Sequence, residues 1–156
     1  MRVELLILGE PASKANQREL VTFGRGENAR PALIKSEKAR NYERDALKQI
    51  PPAARLRLEG PVRVTLHIFY ASERPDLDES VVLDVLQDRY KKDKRSGERV
   101  LIQNGVYRND RQVREKHVYH AIDRLNPRAE IEVETMVLQQ PALPLPAKRE
   151  MAGIPW

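Results

Sequence analysis

Residues 61–70, Pro-Val-Arg-Val-Thr-Leu-His-Ile-Phe-Tyr, set Val62, Val64, Leu66 and Ile68 on one side of an extended chain and Arg63, Thr65, His67 and Phe69 on the other. A period of two predicts a strand with one buried face. The strand runs straight into Arg74-Pro75-Asp76-Leu77-Asp78, and residues 79–90 then carry Val82, Val85, Leu86 and Tyr90 at helical spacing. A strand, an acidic turn and an amphipathic helix follow one another here, and the fold is built outward from them.

Upstream, Val3-Glu-Leu-Leu-Ile-Leu8 reads as a first strand stopped at Gly9. A polar, turn-rich loop follows to Arg18, and a strand or hairpin over 20–34 turns at Gly24 and Gly26. Ser36 can cap a helix reaching about Gln49, where Pro51-Pro52 ends it. Ala39, Tyr42, Ala46 and Ile50 give that helix one apolar face. Downstream, residues 89–99 are a charge run, and two strands over about 114–123 and 129–138 are joined by a turn through Asn126-Pro127. The pattern predicts one α+β domain over 1–138: a small mixed or mainly antiparallel sheet with two helices on one face. Four prolines in 139–156 exclude helix and central strand, so this segment reads as an extended tail.

The chain has 156 residues, 28 Lys and Arg against 23 Asp and Glu, and a net charge of +5. It has no cysteine, which removes disulfides, thiolate metal sites and cysteine nucleophiles together. No apolar run approaches the ~18 residues of a membrane span, and no signal-peptide pattern opens the chain. A cytoplasmic protein without a membrane partner is expected. Its chemistry must come from carboxylates, amines and three histidines.

Asp76 and Asp78 stand two apart, so extended backbone points both side chains the same way. Paired carboxylates at a strand end suit Mg²⁺, a hard cation held by few protein oxygens. Either residue would equally serve a plain turn or helix cap. A third carboxylate, Asp110, lies in Asn109-Asp110-Arg111-Gln112-Val113 among Arg108, Arg111 and Arg114. Three aspartates amid clustered cations suit metal-assisted phosphodiester hydrolysis, with the basic residues holding phosphates. No Gly-x-Ser-x-Gly, His-Glu-x-x-His or P-loop motif is present.

The series Gly9-x-Pro11-x-Ser13-Lys14-x-x-x-Arg18, Arg-Pro-Asp-Leu-Asp, Leu83-Asp-Val-Leu86 and Asn109-Asp-Arg-Gln-Val113 resembles the RusA family of Holliday-junction resolvases, over roughly residues 3–138. The resemblance implies a small α+β homodimer, encoded by a phage or its bacterial host and acting in DNA recombination and repair. It implies Mg²⁺-dependent cleavage of four-way DNA junctions, with Mn²⁺ as a substitute metal, and makes Asp76, Asp78 and Asp110 the metal-binding and catalytic aspartates. Three departures stand out. Glu79 replaces the family's usual Asn, Val82 stands where the family has a catalytically important Lys, and residues 87–104 form an insertion. Arg74, next to the aspartate pair, and Arg111, beside the third carboxylate, are the local stand-ins for the lysine; Arg111 is favoured, since a guanidinium there can bind phosphate bidentately. The expected DNA contacts are Lys14, Arg18, Arg74, Lys91, Lys92, Lys94, Arg95, Arg108 and Arg114. A non-catalytic junction-binding protein on the same scaffold is the alternative that Val82 favours. His67 reads as structural, and Asp84 and Asp88, one helical turn apart, as a solvated face with Asp84 in reach of the site.

Overall fold

Strand β4 (Val62–Tyr70) lies inside a four-stranded sheet ordered β1-β8-β4-β7, in which β1 is Arg2–Leu8, β7 is Val113–Ile122 and β8 is Arg128–Thr135. The computed structural model describes residues 1–13 and 18–137. Lys14 and the tail expected over 139–156 lie outside the described residues. β4 pairs parallel with β7 and antiparallel with β8, which pairs antiparallel with β1, so the sheet is mixed. The alternation read from the sequence is the alternation observed: Val62, Val64, Leu66, Ile68 and Tyr70 are buried on one face. Val3, Leu5 and Ile7 of β1 and Ala129, Ile131 and Val133 of β8 join them.

That face is covered by two helices. Helix α1 (Glu37–Gln49) starts where the Ser36 hydroxyl accepts a 3.2 Å bond from the Ala39 amide, and it buries Ala39, Tyr42 and Ala46. Helix α2 (Ser80–Leu86) buries Val81, Val82, Val85 and Leu86. All but Ala39 belong to one apolar cluster with the sheet, and burial of this kind contributes about 25 cal/mol per Å² of apolar surface. A separate hairpin, β2 (Arg18–Phe23) with β3 (Arg30–Lys35), fills the 20–34 region as expected. No described helix is long and apolar enough to cross a membrane.

Two elements differ from the reading of the sequence. First, β7 and β8 do not pair with each other; they flank β4 on opposite sides. Their connection crosses the end of β4, where the Asp123 amide donates to the Tyr70 carbonyl at 2.9 Å. Second, the expected 79–90 helix stops at Leu86, and the charge run becomes a hairpin, β5 (Arg89–Lys92) with β6 (Arg99–Gln103). The cause is Asp88. Its carboxylate is buried, grips Arg57 at 2.8 and 3.0 Å, and accepts from the Gly105 amide at 2.8 Å. A helix continued through 88 would carry that charge away from its partners. Asp88 is therefore a structural anchor rather than part of a solvated face, and Lys91 and Lys92 of the charge run lie on a strand.

Candidate active site

Tyr70, the last inward residue of β4, organises the acidic turn. Its ring is buried and its hydroxyl donates to the Asp76 carbonyl and accepts from the Asp78 amide, each at 3.1 Å. One hydroxyl thus fixes the backbone on both sides of Leu77. Burial first, and then the charges of Asp78, Glu10 and Glu79, push the Tyr70 phenol above its usual range, which keeps it protonated and able to donate. Glu10 is thereby placed in the same electrostatic neighbourhood, carried there by the loop after Gly9. That glycine takes φ +110°, a conformation side-chain-bearing residues rarely adopt, and its amide bonds the Pro127 carbonyl at 2.9 Å.

The two aspartates of the turn differ. Asp78 is 7% exposed and its Oδ1 accepts from the Ser80 amide at 3.0 Å and from the Ser80 hydroxyl, so it also organises the first turn of α2. Asp76 is exposed, and its carboxylate takes no hydrogen bond or ion pair among the described residues. Glu79, the residue in place of the family's Asn, is bonded by the Lys116 ammonium from β7. Lys116 is thus the described cation that touches the acidic turn. It carried no local signal, being 37 positions away and on a strand whose pairing partner the sequence does not reveal.

Asp110 sits at the other end of α2. It opens a short 3-10 turn whose Asn109 side chain accepts from the Arg111 amide at 2.8 Å, while Gln112 bonds the Arg108 and Asn109 amides in return. The Asp110 amide reaches the Gln87 side chain, 3.3 Å away, and its own carboxylate is exposed. The carboxylate that feels its charge is Asp84. Burial first, eased by Lys35 and Arg18 but reinforced by Asp110 and Glu43, raises the Asp84 carboxyl above its usual range. Arg18, Lys35, Ala39, Val81 and Asp84 line one small hollow on this flank of α2. Behind it Tyr107 is fully buried, with its hydroxyl donating to the Leu83 carbonyl at 2.8 Å.

Asp76 and Asp78 therefore precede the first turn of α2, whereas Asp110 is tied to its last. The oxygen donors suit a hard divalent cation in kind. Among the described residues, however, no three His, Asp or Glu side chains are gathered so as to hold a metal ion. Of the expected DNA contacts, Arg18, Arg74, Lys91, Lys92, Lys94, Arg95, Arg108 and Arg114 are exposed, Arg108 in an ion pair with Glu59. Arg111 is exposed beside Asp110. Val82 is 0% exposed, so its position on α2 faces the core and not the carboxylates.

The chain is an α+β domain: a small mixed sheet with two helices on one face and an acidic turn at the end of a central strand. The family model described as endodeoxyribonuclease RusA matches residues 9–134. The chain belongs to the RusA family of endodeoxyribonucleases. None of the curated proteins matches it.

Proposed function

We propose that this protein is a divalent-metal-dependent, structure-selective endonuclease that cleaves four-way DNA junctions as a homodimer, in phage or prophage recombination and repair. The observation that carries the reading is the Asp76-Leu77-Asp78 turn, held on both sides by the Tyr70 hydroxyl inside a chain that matches the endodeoxyribonuclease family. Asp76, Asp78 and Asp110 are the residues that would hold Mg²⁺, or Mn²⁺ in its place. When bound, the metal supplies Lewis acidity to the phosphate and an activated water. The protein's part is to fix Asp78 through Tyr70 and Ser80 and to present exposed cations to the DNA backbone. Lys14, Arg18, Arg74, Lys91, Lys92, Lys94, Arg95, Arg108 and Arg114 are the proposed phosphate contacts.

Because Val82 cannot supply the family's ammonium, another cation must face the developing charge on the phosphate. Arg111 beside Asp110 and Lys116 beside Glu79 are the two we assign, one at each end of α2. The homodimer reading is supported by the outer face of the sheet. There Leu6, Glu130, His67 and Tyr119 form one cross-strand row, with Leu6 and Tyr119 half-exposed and the His67 and Tyr119 rings stacked at 4.7 Å. A four-way junction has near two-fold symmetry, and paired cuts need two sites.

Asp76→Asn and Asp78→Asn each test the assignment. Cleavage of a synthetic four-way junction should be abolished while junction binding stays intact or tightens, because less negative charge faces the phosphates. Parallel loss of cutting and binding would make the aspartates structural. The second reading, a junction-binding protein that has lost cleavage, is favoured by the burial of Val82, and it predicts wild-type binding without incision under any metal.

A further inference from the structure

The β5–β6 hairpin pairs only with itself in the described structure and stands apart from the main sheet. Isolated two-stranded hairpins are marginal in water, and this one is fixed at both ends. At its base Arg89 bonds Glu43 at 2.6 Å, while Asp88 is held by Arg57 and by the Gly105 amide. At its tip the Asp93 side chain bonds the Arg95 amide at 3.1 Å and the Ser96 hydroxyl at 3.0 Å. The ribbon is ordered, yet it leaves Val100 50% and Ile102 59% exposed. These two, Lys91 directly opposite Val100, and the tip residues Lys92, Asp93, Lys94 and Arg95 border one open hollow, four cations against one acid.

Bare aliphatic side chains ringed by cations mark a docking face whose occupant is both apolar and anionic. Residues 89–103 hold six Lys and Arg against two acids, a net of +4 within a chain of +5. Two copies meeting through this face would set like charges against each other. DNA offers the complementary arrangement, but in continuous duplex the flat base faces are stacked away between the phosphates. They become reachable at a branch point, where stacking is interrupted. Apolar wedges of this kind are used to part base steps.

We propose that the hairpin is a junction-opening arm: Val100 and Ile102 enter the branch point of a four-way junction and pack on unstacked bases, while Lys91, Lys94 and Arg95 hold the flanking phosphates. The proposal rests on the junction-endonuclease reading and adds a residue-level basis for substrate selection. Its test uses full-length protein in EDTA with a four-way junction carrying 2-aminopurine beside the branch point and a linear duplex of the same sequence. Wild type should raise the 2-aminopurine fluorescence of the junction several-fold. The Val100→Thr/Ile102→Thr double variant, which keeps β-branched residues in the strand, should lose that rise and see its junction-over-duplex preference fall about tenfold, equivalent to ~1.4 kcal/mol.

An unchanged fluorescence rise and preference in a folded double variant would overturn the wedge. So would wild type that prefers the junction without any fluorescence rise, an outcome that leaves the endonuclease reading standing. Wild type that binds junction and duplex alike would remove the junction reading itself and the wedge with it. If the double variant sediments as a smaller species than wild type, the face is an interface between copies and the proposal fails.

Discussion

The Tyr70 hydroxyl holds the carbonyl of one candidate metal ligand and the amide of the other, which makes it the most informative single atom in the site. Tyr70→Phe keeps the buried ring and removes both bonds, so it should cost about 1–3 kcal/mol in a thermal or urea melt and lower cleavage more than junction binding. Equal cleavage by the variant would show that the turn needs no staple. Asp84 leads to a prediction of opposite sign. Its carboxyl is raised by burial, so its ionisation works against folding, and the stability it forfeits is lost as pH rises through that raised value. Asp84→Asn should raise the melting temperature at pH 7 and narrow the gap to that at pH 4. The sequence reveals Asp76 and Asp78, because a period-two strand followed by Asp-x-Asp places both carboxylates locally. It does not reveal Lys116 against Glu79, nor Arg57 against Asp88, because each pairing spans more than 30 positions and depends on which strands become neighbours. Val82 belongs to the same lesson. Its helical spacing with Val85 and Leu86 predicts a core residue, and the core is where it lies. Val82→Lys would therefore bury an ammonium and should unfold the protein rather than restore a catalytic cation.

The strands and helices of the main layer are readable because each carries its own period, whereas the insertion misleads because two signals overlap within it. Val82, Val85, Leu86 and Tyr90 keep helical spacing past the point where the buried Asp88 turns the chain. The cations of 89–99 then mask the short apolar run Val100-Leu101-Ile102 of β6. Gly105 locks this corner, because a Cβ there would stand 2.3 Å from the Gln87 carbonyl carbon and 2.5 Å from the Asp88 amide nitrogen. Gly105→Ala should destabilise by about 1–3 kcal/mol or more and raise amide exchange in 87–104 before the main sheet is affected. The hairpin base should also respond to acid. Burial works to raise the Glu43 carboxyl, but hydrogen bonds from Lys35 and Arg89 prevail and hold it below its ordinary 4.5. That stabilisation is present in full above the ordinary value and is lost as pH falls through the depressed one. If Lys91, Lys92, Lys94 and Arg95 meet phosphates, replacing all four with Ala should flatten the salt dependence of binding by roughly 0.9 log units for each phosphate no longer neutralised. An unchanged slope would remove the hairpin from the interface.

At the scale of the whole molecule, one sheet separates two surfaces. The inner face is sealed by α1 and α2; the acidic turn leads into α2, and the Asp110 amide reaches the Gln87 side chain just past its end. The outer face carries Leu6, Leu8 and the stacked His67–Tyr119 pair, and it is the surface we assign to the second subunit. Sedimentation at micromolar concentration should show a dimer, and Leu6→Glu with Tyr119→Glu should give a folded monomer. A wild-type monomer would leave no basis for coordinated double incision. The central claim, that this scaffold cuts branched DNA with metal held by its aspartates, is tested most directly by incubating the purified protein with a four-way junction and with linear duplex, each with and without Mg²⁺. Paired, symmetric incisions of the junction alone, and only with Mg²⁺, are the predicted result. Junction binding without incision in Mg²⁺ or Mn²⁺, or equal cutting of linear duplex, would contradict it.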